Sequence, residues 1–264
     1  MSAPHELAMD MLASFREQRG TTATALAERP APAPAFRTVP DPAPLGPAVT
    51  VDPYTPPTAP HDLLTTLEHR RSLRGFSPEP LPAGLLAGIM TRALDLDAAG
   101  GGNAPGPRDA AGGGDRTDPE TDPETGPDCP LELTVVAHRL TGVEPAIHRF
   151  DPAARSFTPV MEVPGGAARY GLTLQPEFSD AAAIISIGVP LDAAVHRHGG
   201  HGYRLLLTRA GSAAYAMWLD GVAHGLVGSV FAGFIPAAVR GPLLSDGTSR
   251  QQIFALALGL PPAP

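Results

Sequence analysis

Residues 69–76 read HRRSLRGF and place three arginines and a histidine in a chain whose net charge is −8. Arg70, Ser72 and Arg74 alternate where a helix gives way to irregular chain, so their side chains can converge on one ligand. Converging guanidinium groups need an anion, because their planar forks give paired, charge-assisted hydrogen bonds to phosphate or carboxylate. The same arginines could instead cap a helix C-terminus and complement its dipole, so two readings stay open. A second polar cluster, VHRHGGHGYR at 195–204, holds His196, His198 and His201. A histidine trio suggests metal chemistry, but glycine pairs place it on a mobile turn with no acidic residue close by, and no metal is expected.

All 19 basic residues are arginine, so no lysine is present to act as base or Schiff-base former. No G-x-S-x-G elbow supports serine hydrolysis, and no G-x-G-x-x-G follows a strand to support a Rossmann nucleotide site. The acidic balance, with a pI near 5.5, argues against a nucleic-acid surface, which needs a basic face to displace counterions. One cysteine, Cys129, excludes an internal disulfide and a thiolate-cage metal site. The first twenty residues lack the basic-then-apolar layout of a secretory signal, and a cytoplasmic location is expected. The apolar run GLVGSVFAGFIPAAV at 225–239 contains proline and falls short of the roughly 20 residues a bilayer requires, so no membrane association is expected.

These groups must be positioned by a domain at 61–264. Residues 1–60 read as an N-terminal helix (5–18) followed by a proline-rich arm or linker, in which proline removes backbone donors and favours extended chain. A helix is expected after Pro60, with Asp62 in its first turn and Leu63, Leu64 and Leu67 on one face. A second helix is expected at 81–94. Residues 99–128 carry glycine triplets, a TDPE duplication and almost no bulky apolar side chain. Such a stretch cannot repay its ordering entropy by burial and reads as a disordered insertion, dispensable for folding. Strands are expected at 131–138 and 146–150 as an antiparallel meander turning at Gly142 and Asp151–Pro152, and a buried central strand at 181–189. Residues 203–226 form a long helix that is apolar on most sides, which implies burial, here by a second subunit. Met217 and Trp218 on it read as core, the alternative being a flavin-facing role. Strands at 229–234 and from 252 close an α+β fold with one mixed, mostly antiparallel sheet flanked by helices.

The arginine-rich motif at 70–76 resembles the opening motif of the nitroreductase superfamily, whose members bind FMN. CPLELTVVAHRLTGVEPAIHRFDP at 129–152 is similar to the central hairpin of its SagB-type branch, the azoline dehydrogenases that oxidise thiazolines and oxazolines in ribosomally made peptides to thiazoles and oxazoles. GGHGYRLLLTRAG, VFAGF and LALGLP match in order and spacing, so the resemblance covers most of residues 63–261. It implies a nitroreductase-like fold, a homodimer with flavin between subunits, and FMN gripped by Arg70, Ser72 and Arg74 with Arg71 beside them. It also implies that Ala232 and Gly233 present backbone N–H groups to the flavin. The lysine–tyrosine pair of the azoline dehydrogenases falls on Arg197 and His198. Arginine cannot release its proton at usable pH, whereas histidine, with an unperturbed pKa near 6.5, can act as base. Arg209 stands where the family has glutamate, and Tyr215 and Ala216 where it has glutamine and asparagine.

The implied activity is FMN-dependent azoline oxidation in a precursor peptide delivered by partner proteins such as a cyclodehydratase. Two other readings are a degenerate nitroreductase-fold scaffold without redox activity and a generic NAD(P)H-fed nitroreductase.

Overall fold

The computed structural model describes residues 41–101, 129–173, 175–198, 200–241, 243–247 and 249–263. The expected helix at 5–18, the arm up to residue 40 and the insertion from residue 102 to 128 lie outside them. Strand β1 (Val49–Thr50) comes first, then α1 (Leu63–His69), β2 (Leu81–Pro82) and α2 (Ala83–Gly101). Strands β3 (Glu132–Ala137), β4 (Leu140–Thr141), β5 (Ala146–Asp151), β6 (Ser156–Met161) and β7 (Ala183–Val189) follow. The chain closes with α3 (Leu191–His198), α4 (Gly200–Ala223), β8 (Val227–Phe231), α5 (Pro236–Val239) and β9 (Gln251–Gly259).

Seven strands form one sheet in the order β1-β6-β5-β3-β7-β9-β8. Every neighbouring pair in it is antiparallel. Parallel pairing is confined to the separate β2–β4 ribbon and a single bridge between Ser72 and Gly228. Strand β7, AIISIGV, is buried at every residue because both faces of the sheet are covered, which is why its sequence is continuously apolar rather than alternating. Leu133, Val135, Ile185, Ile187, Leu256 and Leu258 face the core shared with α2 and α4. Val136, Ile184, Ala255 and Ala257 face a second core closed by Leu172, Phe178, Phe234 and Leu243.

Helix α4 is apolar on most sides for a reason internal to the chain. Leu206, Ala210, Ala213, Ala214, Met217, Trp218 and Val222 are all buried in the core against the sheet and α2, so its composition needs no second subunit. Close approach is built in by glycine: a Cβ on Gly202 would lie 2.1 Å from the Ala194 carbonyl oxygen of α3. Where α2 meets α4, Arg209 donates from Nε and Nη2 to both Asp97 carboxylate oxygens at 2.9 and 2.7 Å and from Nη1 to the Cys129 carbonyl at 2.9 Å. Paired, bidentate geometry of this kind is what makes a buried charge tolerable.

Three expectations change. Residues 99–101 belong to α2 rather than to a disordered insertion. The arm from residue 41 to 52 is docked: β1 pairs with β6, the Leu45 N–H donates to the Pro159 carbonyl at 2.7 Å, and Asp41 pairs with Arg149 and Arg250. His196 and His198 lie in a helix and His201 in the next, rather than on an extended glycine turn.

Half-buried His138 and buried His148 set an acid limit on stability. His138, at the end of β3, has an Nε2 without a hydrogen-bond partner, and burial, helped by Arg139 and Arg169, lowers its pKa from 6.5 to about 4. His148 is also lowered by burial. The unfolded chain binds these protons below about pH 6.5 while the folded chain does not. Stability is therefore complete above pH 6.5 and falls as pH drops towards 4. Denaturant melts across that window should show His138 costing on the order of 2 kcal/mol, and His138→Gln should flatten the slope. A wild-type stability that does not change between those pH values would contradict this.

Candidate functional site

Asp62 caps α1, accepting the Thr65 N–H at 2.9 Å, and that bond holds its carboxyl below the usual carboxylate range. The helix lasts seven residues and ends at Arg70, whose N–H donates to the Thr66 carbonyl. The chain then passes the edge of β8 as a strap: Ser72 bridges Gly228, the Leu73 N–H donates to the Gly228 carbonyl at 3.1 Å, and the Ser77 N–H donates to the Leu260 carbonyl at 2.9 Å. Arg71, Ser72 and Arg74 are exposed along it and Arg70 is half-buried.

Each cation of the strap has a different setting. The Arg70 guanidinium carbon lies 4.8 Å from the centre of the Trp218 ring and 5.9 Å from that of Tyr215. Its Nε is buried with no hydrogen-bond partner. Arg74 pairs with Glu177 at 2.9 Å and rests 5.7 Å from the Phe178 ring centre. Phe178 in turn stacks on Phe231 with centroids 4.3 Å apart. Trp218 belongs to the core beneath α4 and Phe178 to the core on the other face. The arginines therefore rest on rings of different cores, with Ser72 between them at the sheet edge.

Strand β8 leads from this strap straight to the other expected contact. Ala232 is exposed and Gly233 buried, with a φ of 104° that a side chain would strain. The turn is fixed from behind by a bridge between Phe234 and Thr173 and by the Ile235 N–H donating to the Leu172 carbonyl at 2.8 Å. Arg74 reaches this turn's root through Phe178 and Phe231, so sequence-distant parts of the motif meet on one edge strand.

Arg197 and His198 stand apart from the strap within one chain. They end α3, which begins just beyond Val189, where β7 pairs with Gln251 of β9. The 15 residues of α4 separating Gly200 from Tyr215 correspond to about 22 Å of helix rise. Base candidates and arginine strap thus lie towards opposite ends of α4. A cleft of about 540 Å³ lined by Tyr54, Pro57, His61, Leu85 and His224, where the arm passes the end of α4, contains none of the expected site residues.

The strap fits an anionic cofactor on its own chemistry: a half-buried guanidinium without an acceptor among the described residues, beside exposed Arg71, Ser72 and Arg74 and leading along β8 to the Ala232–Gly233 turn. Glu177, Phe178 and the seating of Arg70 on the Tyr215–Trp218 pair were not read from sequence, where Trp218 was core or flavin-facing. The i, i+3 spacing of the two aromatic residues was visible, but without the strap's path it reads as core.

No protein-family model matches the sequence, and no curated protein matches it. Among solved structures, the chain is similar to a nitroreductase-like protein from Anabaena variabilis at 21% identity and a TM-score of 0.56, over 76% of this chain and 38% of that one. The matched region is thus well under half of the Anabaena chain. A second, from Ralstonia eutropha, aligns at 17% identity and a TM-score of 0.54 over 88% of this chain and 99% of that one. A chain of the E. coli microcin synthetase McbBCD, in complex with truncated pro-MccB17, aligns at 14% identity and a TM-score of 0.52 over 98% and 97%. An α+β chain with a mostly antiparallel sheet flanked by helices, it has the nitroreductase-like fold.

Proposed function

We propose that the protein is an FMN-dependent oxidoreductase of the SagB type, oxidising thiazolines or oxazolines in a precursor peptide. One observation carries the reading: within a nitroreductase-like fold, Arg70 is held half-buried at the β8 edge with donors that no described residue accepts. Arg70, Arg71, Ser72 and Arg74 would hold the phosphate, ribityl chain and pyrimidine edge, and Ala232 and Gly233 would offer backbone N–H groups. When bound, FMN supplies a two-electron acceptor that takes a hydride from the substrate ring. His198 would take the ring proton, imidazole being the side chain whose ordinary pKa suits a base near neutral pH. Arg197 stays protonated throughout and contributes charge.

A homodimer is part of this proposal. Leu63 and Leu64 of α1 are 62% and 74% exposed, and Leu67 and Leu73 are also exposed, forming an apolar face beside the strap. The proposal buries that face against a second copy and takes the base for each strap from the other copy's α3–α4 turn, because the two stand apart within one chain. The microcin synthetase McbBCD neighbour is a complex with truncated pro-MccB17 bound, which supports a peptide substrate and partner proteins; a cyclodehydratase partner is part of the proposal. No helix among the described residues is long and apolar enough to cross a membrane; a cytoplasmic location is part of the proposal.

The test supplies FMN-loaded protein with a thiazoline-containing peptide and, separately, with NAD(P)H and a nitroaromatic. The proposal expects loss of two hydrogens per ring from the peptide under air. Rapid nitroaromatic reduction with no peptide oxidation would instead favour a generic nitroreductase.

A further inference from the structure

Several other arginines among the described residues are held by carboxylates: Arg92 by Asp220, Arg169 by Asp180, Arg209 by Asp97 and Arg250 by Glu132. Arg70 is held by two rings instead, and among the described residues no carboxylate pairs with it. The difference matters chemically. A carboxylate orients a guanidinium and also neutralises it, whereas an aromatic face orients it and leaves both its charge and its in-plane donors free for a ligand. The two rings are themselves arranged, edge to face with centroids 6.0 Å apart at 76°. Trp218 is 5% exposed, so its ring is fixed by the core, and its Nε1 also lacks a hydrogen-bond partner.

We propose that Tyr215 and Trp218 are positioning residues, a paired aromatic platform that holds the Arg70 guanidinium charged, unpaired and oriented for the phosphate of the cofactor. The proposal rests on the flavin reading, and goes beyond it in assigning two residues of α4 to phosphate recognition rather than to core packing. The platform is fixed by α4 and the arginine arrives on α1, so docking of α1 onto α4 and completion of the phosphate site are one event. Tyr215, 41% exposed, forms the solvent edge of the platform and Trp218 its floor.

The experiment compares FMN with riboflavin, which lacks the phosphate, by titration against the full-length protein. Trp218→Leu and Tyr215→Ala should each weaken FMN roughly tenfold while leaving riboflavin affinity unchanged, and Trp218→Phe, which restores a ring face, should return FMN affinity close to the parent's. Trp218 is the single tryptophan of the chain, so its emission in the parent should change on FMN binding, and Arg70→Ala should reduce that change. Should Trp218→Leu fail to fold, the exposed Tyr215→Ala decides alone. Equal weakening of both flavins would show a purely structural role, and an unchanged FMN affinity would show no role; either overturns the platform while FMN binding by the parent stands. Failure of the parent to bind either flavin overturns the flavin reading and this proposal with it.

Discussion

His198→Ala slows oxidation of an azoline peptide by about 10²- to 10⁴-fold, the usual contribution of a positioned base, and leaves FMN affinity unchanged. Both halves of that expectation come from the division of roles between base and strap. His198 is the last residue of α3, and Arg70 meets α4 at Tyr215 and Trp218, roughly four helical turns beyond Gly200. The base acts on the substrate ring and donates nothing to the phosphate, which the strap holds, so its loss should spare FMN binding. Arg197 cannot substitute, since a guanidinium keeps its proton, and the chain has no lysine to take over. Single-turnover rates across pH 5 to 9 separate the possibilities. The parent should lose rate on acidification as the histidine protonates, and the variant should lack that limb. A variant as fast as the parent places the base elsewhere.

Arg74→Ala weakens FMN by about 10- to 100-fold, the cost of one or two charge-assisted hydrogen bonds. Arg74 already donates one N–H to Glu177, and its side chain is 57% exposed, so the fold should survive the change. Equilibrium titration with FMN, checked by thermal melting, reads the effect. A variant that binds FMN as tightly as the parent would leave Arg74 as a surface ion pair with Glu177.

Much of the fold was legible because the strong signals were local. Strands β3, β5, β7 and β9 and helix α4 each fall within a few residues of their expected positions, since alternation, continuous apolar runs and helical spacing are written directly in the chain. What escaped depends on contacts between distant segments. The sequence of β6, SFTPVM, carries a proline and no clean alternation, and it becomes a strand because β1 and β5 flank it. Residues 41–52 look like a linker, and dock because Asp41 finds Arg149 and Arg250, more than a hundred positions away. Helix α3 was hidden by its glycine-rich flank, although Gly202 proves to be a packing glycine against Ala194.

The site shows the same division. The arginine cluster and the Ala232–Gly233 turn were visible as residue types in a motif. Their shared attachment to β8 was not, because the Ser72–Gly228 bridge joins positions separated by most of the domain. Trp218 looked like core and is core, yet its upper face carries Arg70. Burial and function share one residue there, and hydropathy reports only the burial.

The most direct measurement is flavin binding by the purified full-length protein, read as the visible absorbance of oxidised flavin that stays with the protein through gel filtration. Stoichiometric FMN, lost on Arg74→Ala and retained on His198→Ala, is the predicted result. A parent that purifies colourless and takes up no added FMN would contradict it and leave a nitroreductase-like scaffold without redox activity.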